Sequence, residues 1–253
     1  PILKPIVKYY VEIVEYIIEG IGRREKWIGR EWRISKWKLI FTLSILLSLF
    51  NTTYPYLPGV NPYNAVIGVD ARHYISHVKR VSKDITYAFR GYIQGSRPLM
   101  LLLIYYISKT LNMDIEFTVK YMPILINPLL TLAAFTMTLM ATGAKEWAAI
   151  ASLLTSMGII ISSNMYAYIL ANTMAIALLY ASTGCLIYAV NRLSKKSIAS
   201  FLASILLGIA ALLTHPWAST QYYIAIALMT APTIANLLKA KKYRKSYAIQ
   251  LLI

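Results

Sequence analysis

Apolar and polar positions fall into two patterns along the chain. Over residues 4–21, Ile6, Val7, Tyr10, Val11, Val14, Ile17, Ile18 and Ile21 recur at helical spacing. Lys4, Lys8, Glu12, Glu15 and Glu19 take the opposite face. That spacing predicts an amphipathic helix that lies on a surface and does not cross a bilayer. From residue 37 the pattern changes to apolar runs of about 20 residues, the length that spans hydrocarbon. Runs at 37–57, 121–142, 147–164, 173–190, 197–214 and 219–238 predict six spans of an all-α, polytopic transmembrane helical bundle. The less apolar stretch 58–120 separates the first two, opening on Pro58, Gly59 and Pro62, which mark turns. Within it, residues 98–111 are apolar but too short to cross, so an interfacial helix is expected.

Composition supports a membrane chain. Hydrophobic residues make up 58% and charged residues 14%, against about 45–50% and about 25% in soluble domains. Such a chain exceeds what one soluble core hides, and it is too apolar for disorder. The single cysteine, Cys185, excludes an internal disulfide and any multi-cysteine metal site, and reads as a small buried hydrophobe. No Asp or Glu follows Glu146, which excludes paired-carboxylate chemistry from the second half. The first strong apolar run starts near Leu39, too late for a cleavable signal peptide. The chain opens on Pro1 and closes on Ala248–Ile253, which reads as the start of another apolar segment, so a piece of a longer multi-pass protein is expected.

Charge then orients the spans. The net charge is +16, from 26 Lys and Arg against 10 Asp and Glu. Arg23, Arg24, Lys26, Arg30, Arg33, Lys36 and Lys38 alternate with Trp27, Trp32 and Trp37 directly before the first span. In that position they suit a lipid headgroup layer better than nucleic acid. If 98–111 does not cross, this arm and the basic loops 192–196 and 239–245 all share one side, as the positive-inside bias requires. The expected organisation is a cytoplasmic arm, 1–36, and a transmembrane domain, 37–253, in the cell membrane. Loop 58–120, Ser162–Asn172 and Thr214–Trp217 then face outward. The sequon Asn51-Thr-Thr53 lies at the membrane edge and is discounted.

The first outer loop holds most of the remaining polar chemistry. In helical form, Asp70, His73, Tyr74 and His77 share one face. Asp70, His73 and His77 at that spacing could hold a divalent metal ion; the plainer reading is a polar helix face with Asp70 capping its start. Asp70 also reads as a base, because an acid near lipid is costly and usually functional. Arg72, Lys79, Arg80, Lys83, Arg90 and Arg97 make the loop basic against the charge bias, which suits an anionic ligand such as a lipid phosphate or a solvated interface.

Gly68-Val-Asp70-Ala-Arg-His-Tyr74 after one span resembles the first outer loop of the GT-C class of membrane glycosyltransferases, which includes protein O-mannosyltransferases and oligosaccharyltransferases. Arg97-Pro98-Leu99 with its tyrosine-rich run, Lys120-Tyr-Met-Pro123, and Ser162–Asn164 leading to Asn172-Thr-Met are similar to later features of that class. The resemblance covers about residues 37–238. It implies sugar transfer from a polyprenyl-phosphate donor to an acceptor on the outer face, with Asp70 as the catalytic or metal-binding carboxylate. With that donor, Arg72, Lys79 and Arg80 are expected at its phosphate, and Tyr74, Asn164 and Asn172 at the acceptor; His215-Pro-Trp217, on the outer side, could also contact the donor, or could be a plain helix end with an interfacial tryptophan. Asn164 and Asn172 stand where the class often has a second acid, and an amide can orient an acceptor but cannot serve as a base. The partners implied are membrane lipids and a lipid-linked sugar. The competing reading is a non-catalytic multi-pass protein: a scaffold subunit, or a transporter, which would carry ionisable groups at the midplane that these spans lack.

Overall fold

A computed structural model describes residues 35–90, 97–191, 195–224 and 227, with side chains at 191, 195 and 196 excepted. The amphipathic stretch 4–21, the basic–aromatic stretch up to Arg33, loop 239–245 and most of 219–238 lie outside them. Among the described residues the fold is entirely helical. Five helical segments are long and apolar enough to cross a membrane: Lys36–Tyr56, Ile115–Thr142, Lys145–Ala167, Leu170–Val190 and Ser197–Thr214.

Helix α1 (Lys36–Thr53) buries only Ser44, Ser48 and Thr52, while Leu39, Leu43, Leu46 and Phe50 point outward. Lipid takes the apolar face, and small polar residues one turn apart let neighbouring backbones approach. After a 3₁₀ turn (Tyr54–Tyr56) come α2 (Ala71–Val81), the single turn α3 (Tyr87–Arg90) and α4 (Pro98–Thr110). Helix α5 (Ile115–Thr142) begins well before residue 121 because the Asp114 carboxylate caps it, accepting from Glu116 N (2.7 Å) and Phe117 N (3.3 Å). Gly143, at φ 70°, ends it. The next crossing is two helices, α6 (Lys145–Ser156) and α7 (Ile159–Ala167), parted at Met157 and Gly158. Helices α8 (Leu170–Asn191) and α9 (Lys195–Thr214) follow, and residues 216–224 start a further helix, α10. Gly184 brings α8 against α5: a Cβ there would lie 3.3 Å from Met137 Cα.

Helix α4 leaves and returns to the same end of the bundle. Its 13 residues rise about 20 Å, short of the roughly 30 Å of hydrocarbon. Arg97, before it, bonds Tyr74, whose ring stacks edge-on against Tyr168. Val119, after it, accepts a hydrogen bond from that same Tyr168. At the other end, Lys145 Nζ lies 5.4 Å from the Trp37 ring centre, bringing together the starts of α1 and α6.

Lys120 ties the loop before α2 to α5. It is 5% exposed and donates to Asn64 O (2.8 Å) and to Asn64 Oδ1. The Tyr56 and Tyr121 ring centres stand 5.1 and 5.3 Å from its Nζ. Lys120→Met keeps the stem and removes the ammonium. Amide exchange over residues 60–66 is expected to accelerate by about tenfold as this local closure weakens, with global melting little changed; exchange mass spectrometry checks it.

Candidate functional site

Asp70 sits where the first long loop crosses the connection between α7 and α8. Its backbone N–H donates to Ala167 O, and that of Val69 to Tyr166 O, both at 3.3 Å. The crossing depends on Gly68, at φ 108°: a Cβ there would lie 2.6 Å from Tyr168 Cβ. Tyr168, itself left-handed at φ 61° and fully buried, donates its phenol to Val119 O. That carbonyl is free because its helical partner would be the nitrogen of Pro123, which has no N–H. The Lys120–Pro123 motif therefore supplies the acceptor on which the crossing locks.

The Asp70 backbone is helical (φ −83°, ψ −3°), and its carboxylate makes no cap bond, which corrects the capping reading. Among the described residues it has no hydrogen bond or ion pair. Two of the other loop acids are engaged: Asp84 accepts from Thr86 and pairs with Arg90 at 3.0 Å, and Asp114 caps α5; Glu116 is exposed in the first turn of α5, where the helix dipole favours an acid. The Thr86 bonds, helped by Arg90, hold Asp84 below its ordinary pKa.

Tyr74 is built into this site as a strut. It is 3% exposed, and its phenol oxygen accepts from Arg97 Nη1 (2.7 Å) and from Ala171 N (3.1 Å), an unpaired donor in the first turn of α8. Burial raises its pKa, and Arg97 opposes the shift. Through these two bonds Tyr74 orients Arg97 and ties α2 to the start of α8. The Arg97 charge also acts on His77 and on His215, gathering α2, the start of α4 and the α9–α10 turn at one end. His215 Nδ1 accepts from Ala218 N at 3.1 Å, capping α10.

Arg80 donates to Tyr87 Oη (3.0 Å), which also bonds His77 Nδ1 (2.9 Å). Arg72 and Lys79 are exposed, away from the buried stripe Ala71, Tyr74, Val78 and Val81, and do not join the cluster. Asp70, His73 and His77 do not form a ligand set: no three His, Cys, Asp or Glu groups converge as a metal site among the described residues. His73 meets His77 ring edge to ring at 5.3 Å, and His77 is held by Tyr87. That donor set does not fit a divalent ion, so no step is routed through one. Asn164 is fully buried and gives its amide to Asn127, so it is turned into the bundle and away from any outer acceptor. Asn172 is half-buried in the first turns of α8. The Asn51 amide donates to Ser156 O, which fits the discounted sequon.

His77 and His215 are both pushed below the ordinary value of 6.5, chiefly by burial, then by His73, Arg80 and Arg97 for His77 and by Arg97 for His215. At pH values below 6.5 the unfolded chain therefore binds more protons than the folded one, and stability rises with pH. The expected result is a melting temperature that falls as pH drops from about 7 through the two depressed folded values. A double His77→Gln, His215→Gln variant flattens the profile; thermal denaturation across pH checks it.

Searches against protein-family models, curated proteins and solved structures give no match for this chain.

Proposed function

We propose that the protein is an integral membrane glycosyltransferase that moves a sugar from a polyprenyl-phosphate donor to an acceptor on the outer face. One observation carries the reading: the loop crossing fixes Asp70 in place, yet its carboxylate is uncommitted, and Arg97, bonded to the Tyr74 phenol one turn further along α2, has no carboxylate partner among the described residues. Asp84 and Asp114 show the structural alternative, one paired and one capping. An acid held ready with both oxygens open suits proton transfer.

In this reading the acceptor hydroxyl or amide gives its proton to Asp70 as its heteroatom bonds to the anomeric carbon. The bond from that carbon to the donor phosphate oxygen breaks, and the lipid phosphate leaves as an anion. Arg97, with His215 and Arg80 near it, stabilises the departing charge. Lys145 meets Trp37 at the opposite end, and the positive-inside bias read from the sequence supports an Asp70 end that faces away from the cytoplasm, with the N-terminal arm cytoplasmic and the cell membrane as host.

Arg97→Gln is expected to lower transfer about a hundredfold, on the scale of one lost charge-stabilising donor. Arg72→Gln and Lys79→Gln should stay within about twofold, since solvated surface charges contribute little. Initial rates with radiolabelled polyprenyl-phosphate mannose and glucose, in membranes containing the protein, check this. Equal losses in all three variants would assign the effect to general surface charge. A wild-type protein that neither binds nor consumes either donor would favour the scaffold reading.

A further inference from the structure

A polar seam runs through the bundle below the loop crossing. Ser44 Oγ meets Ser152 Oγ at 2.9 Å, Asn51 Nδ2 donates to Ser156 O at 3.1 Å, and both belong to the α1–α6 contact. Nearer the crossing, the bonds form a directed chain. Thr52 Oγ1 donates to Ser48 O (2.7 Å), so its single proton is spent. It therefore accepts from Asn127 Nδ2 (2.9 Å), which orients that amide, and Asn127 Oδ1 accepts from Asn164 Nδ2 (2.6 Å). Turning the Asn164 amide over would face two carbonyl oxygens. The chain thus ends on Asn164 Oδ1, an atom that can only accept. It is buried without a partner, and so is Ser48 Oγ. Thr52, Asn127, Asn164 and Ser48 are all fully buried.

An unpartnered polar atom in a lipid-embedded bundle is costly, because no solvent stands by to bond it. We propose that the seam is an internal water site: one water donates to Asn164 Oδ1, and water in the same seam bonds the Ser48 hydroxyl. Water supplies two donors and two acceptors and satisfies both atom types. A monovalent cation is the poorer occupant. The Ser44, Ser152 and Thr52 oxygens already hold hydrogen bonds, and no carboxylate belongs to the seam. This inference is independent of the sugar-transfer reading, because it concerns only bundle side chains.

The test is a high-resolution map of the protein in lipid nanodiscs together with thermal melting of Ser48→Ala. The expected map shows an oxygen about 2.7–3.2 Å from Asn164 Oδ1. Ser48→Ala, which removes a water-bonded hydroxyl, should lower the melting temperature by about 2–4 °C. A map that resolves waters elsewhere and none at Asn164 Oδ1 overturns the proposal. So does a Ser48→Ala variant that melts at or above the wild-type temperature, because deleting an unbonded buried hydroxyl is neutral or stabilising.

Discussion

Asp70→Asn is expected to reduce sugar transfer by roughly 10²–10⁴-fold, the usual contribution of a positioned acid or base, while the protein folds as before. The second half of this prediction follows from the geometry. The Asp70 carboxylate makes no cap bond at the start of α2; its backbone N–H holds the crossing and its C=O accepts from His73 N and Tyr74 N to start the helix. Asparagine keeps the backbone and the size, so the melting temperature should move by no more than about 2 °C, as for a surface change. The histidines separate proton transfer from metal binding. His73→Gln and His77→Gln should each cost less than about tenfold, because neither imidazole shares a ligand set with Asp70. Losses equal to that of Asp70→Asn would indicate a metal site and contradict the assignment. Steady-state rates and melting curves on the same preparations provide both readouts.

The largest effect on stability is expected at Gly68. A valine there must adopt φ 108° and place its Cβ 2.6 Å from Tyr168 Cβ and 3.0 Å from Met165 O. The obstacle on the far side is a Cβ and a carbonyl oxygen, not a flexible side-chain tip, so it cannot step aside. Forbidden φ and overpacking each cost on the order of 1–3 kcal/mol. The melting temperature should fall by about 5 °C or more, and transfer should be lost even in protein that remains folded, because the clash lifts the Val69 and Asp70 N–H groups from Tyr166 and Ala167. Gly59→Val is the control. It has nothing within 4 Å of its built Cβ and should leave melting and transfer unchanged. If the two variants behave alike, Gly68 does not hold the crossing.

Five of the six expected spans were legible because lipid selects for uninterrupted apolar length, and the Pro98 run, read as too short to cross, is a helix of 13 residues. Other features depend on contacts between distant parts of the chain. The start of α5 is hidden in sequence by Glu116 and Lys120, which read as loop charges until Asp114 caps the helix at the Glu116 N–H and Asn64 with two tyrosines encloses Lys120. The α6–α7 break lies inside a continuous apolar run and has no hydropathy signal beyond Gly158. Asn164 reads as outer-loop polarity; its partners, Asn127 and Thr52, are far away in sequence, and only their meeting turns it inward. The cations Arg72, Lys79 and Arg97 are equivalent in composition. What separates them is helical phase, set by the start of α2 at Ala71, together with the buried phenol of Tyr74 that takes Arg97. Gly68 was quoted as part of a motif, yet its role emerged only when the left-handed backbone of Tyr168 was placed against it.

The most direct measurement of the central claim is site-mapped photocrosslinking with a polyprenyl phosphate that carries its reactive group next to the phosphate. The account predicts labelling of peptides that contain Asp70–Arg80 and Arg97, competed by unlabelled polyprenyl phosphate and not by the uncharged polyprenol. Labelling spread over the lipid-facing helices, or gathered at the Trp37–Lys145 end, with no competition by the phosphate, would contradict it.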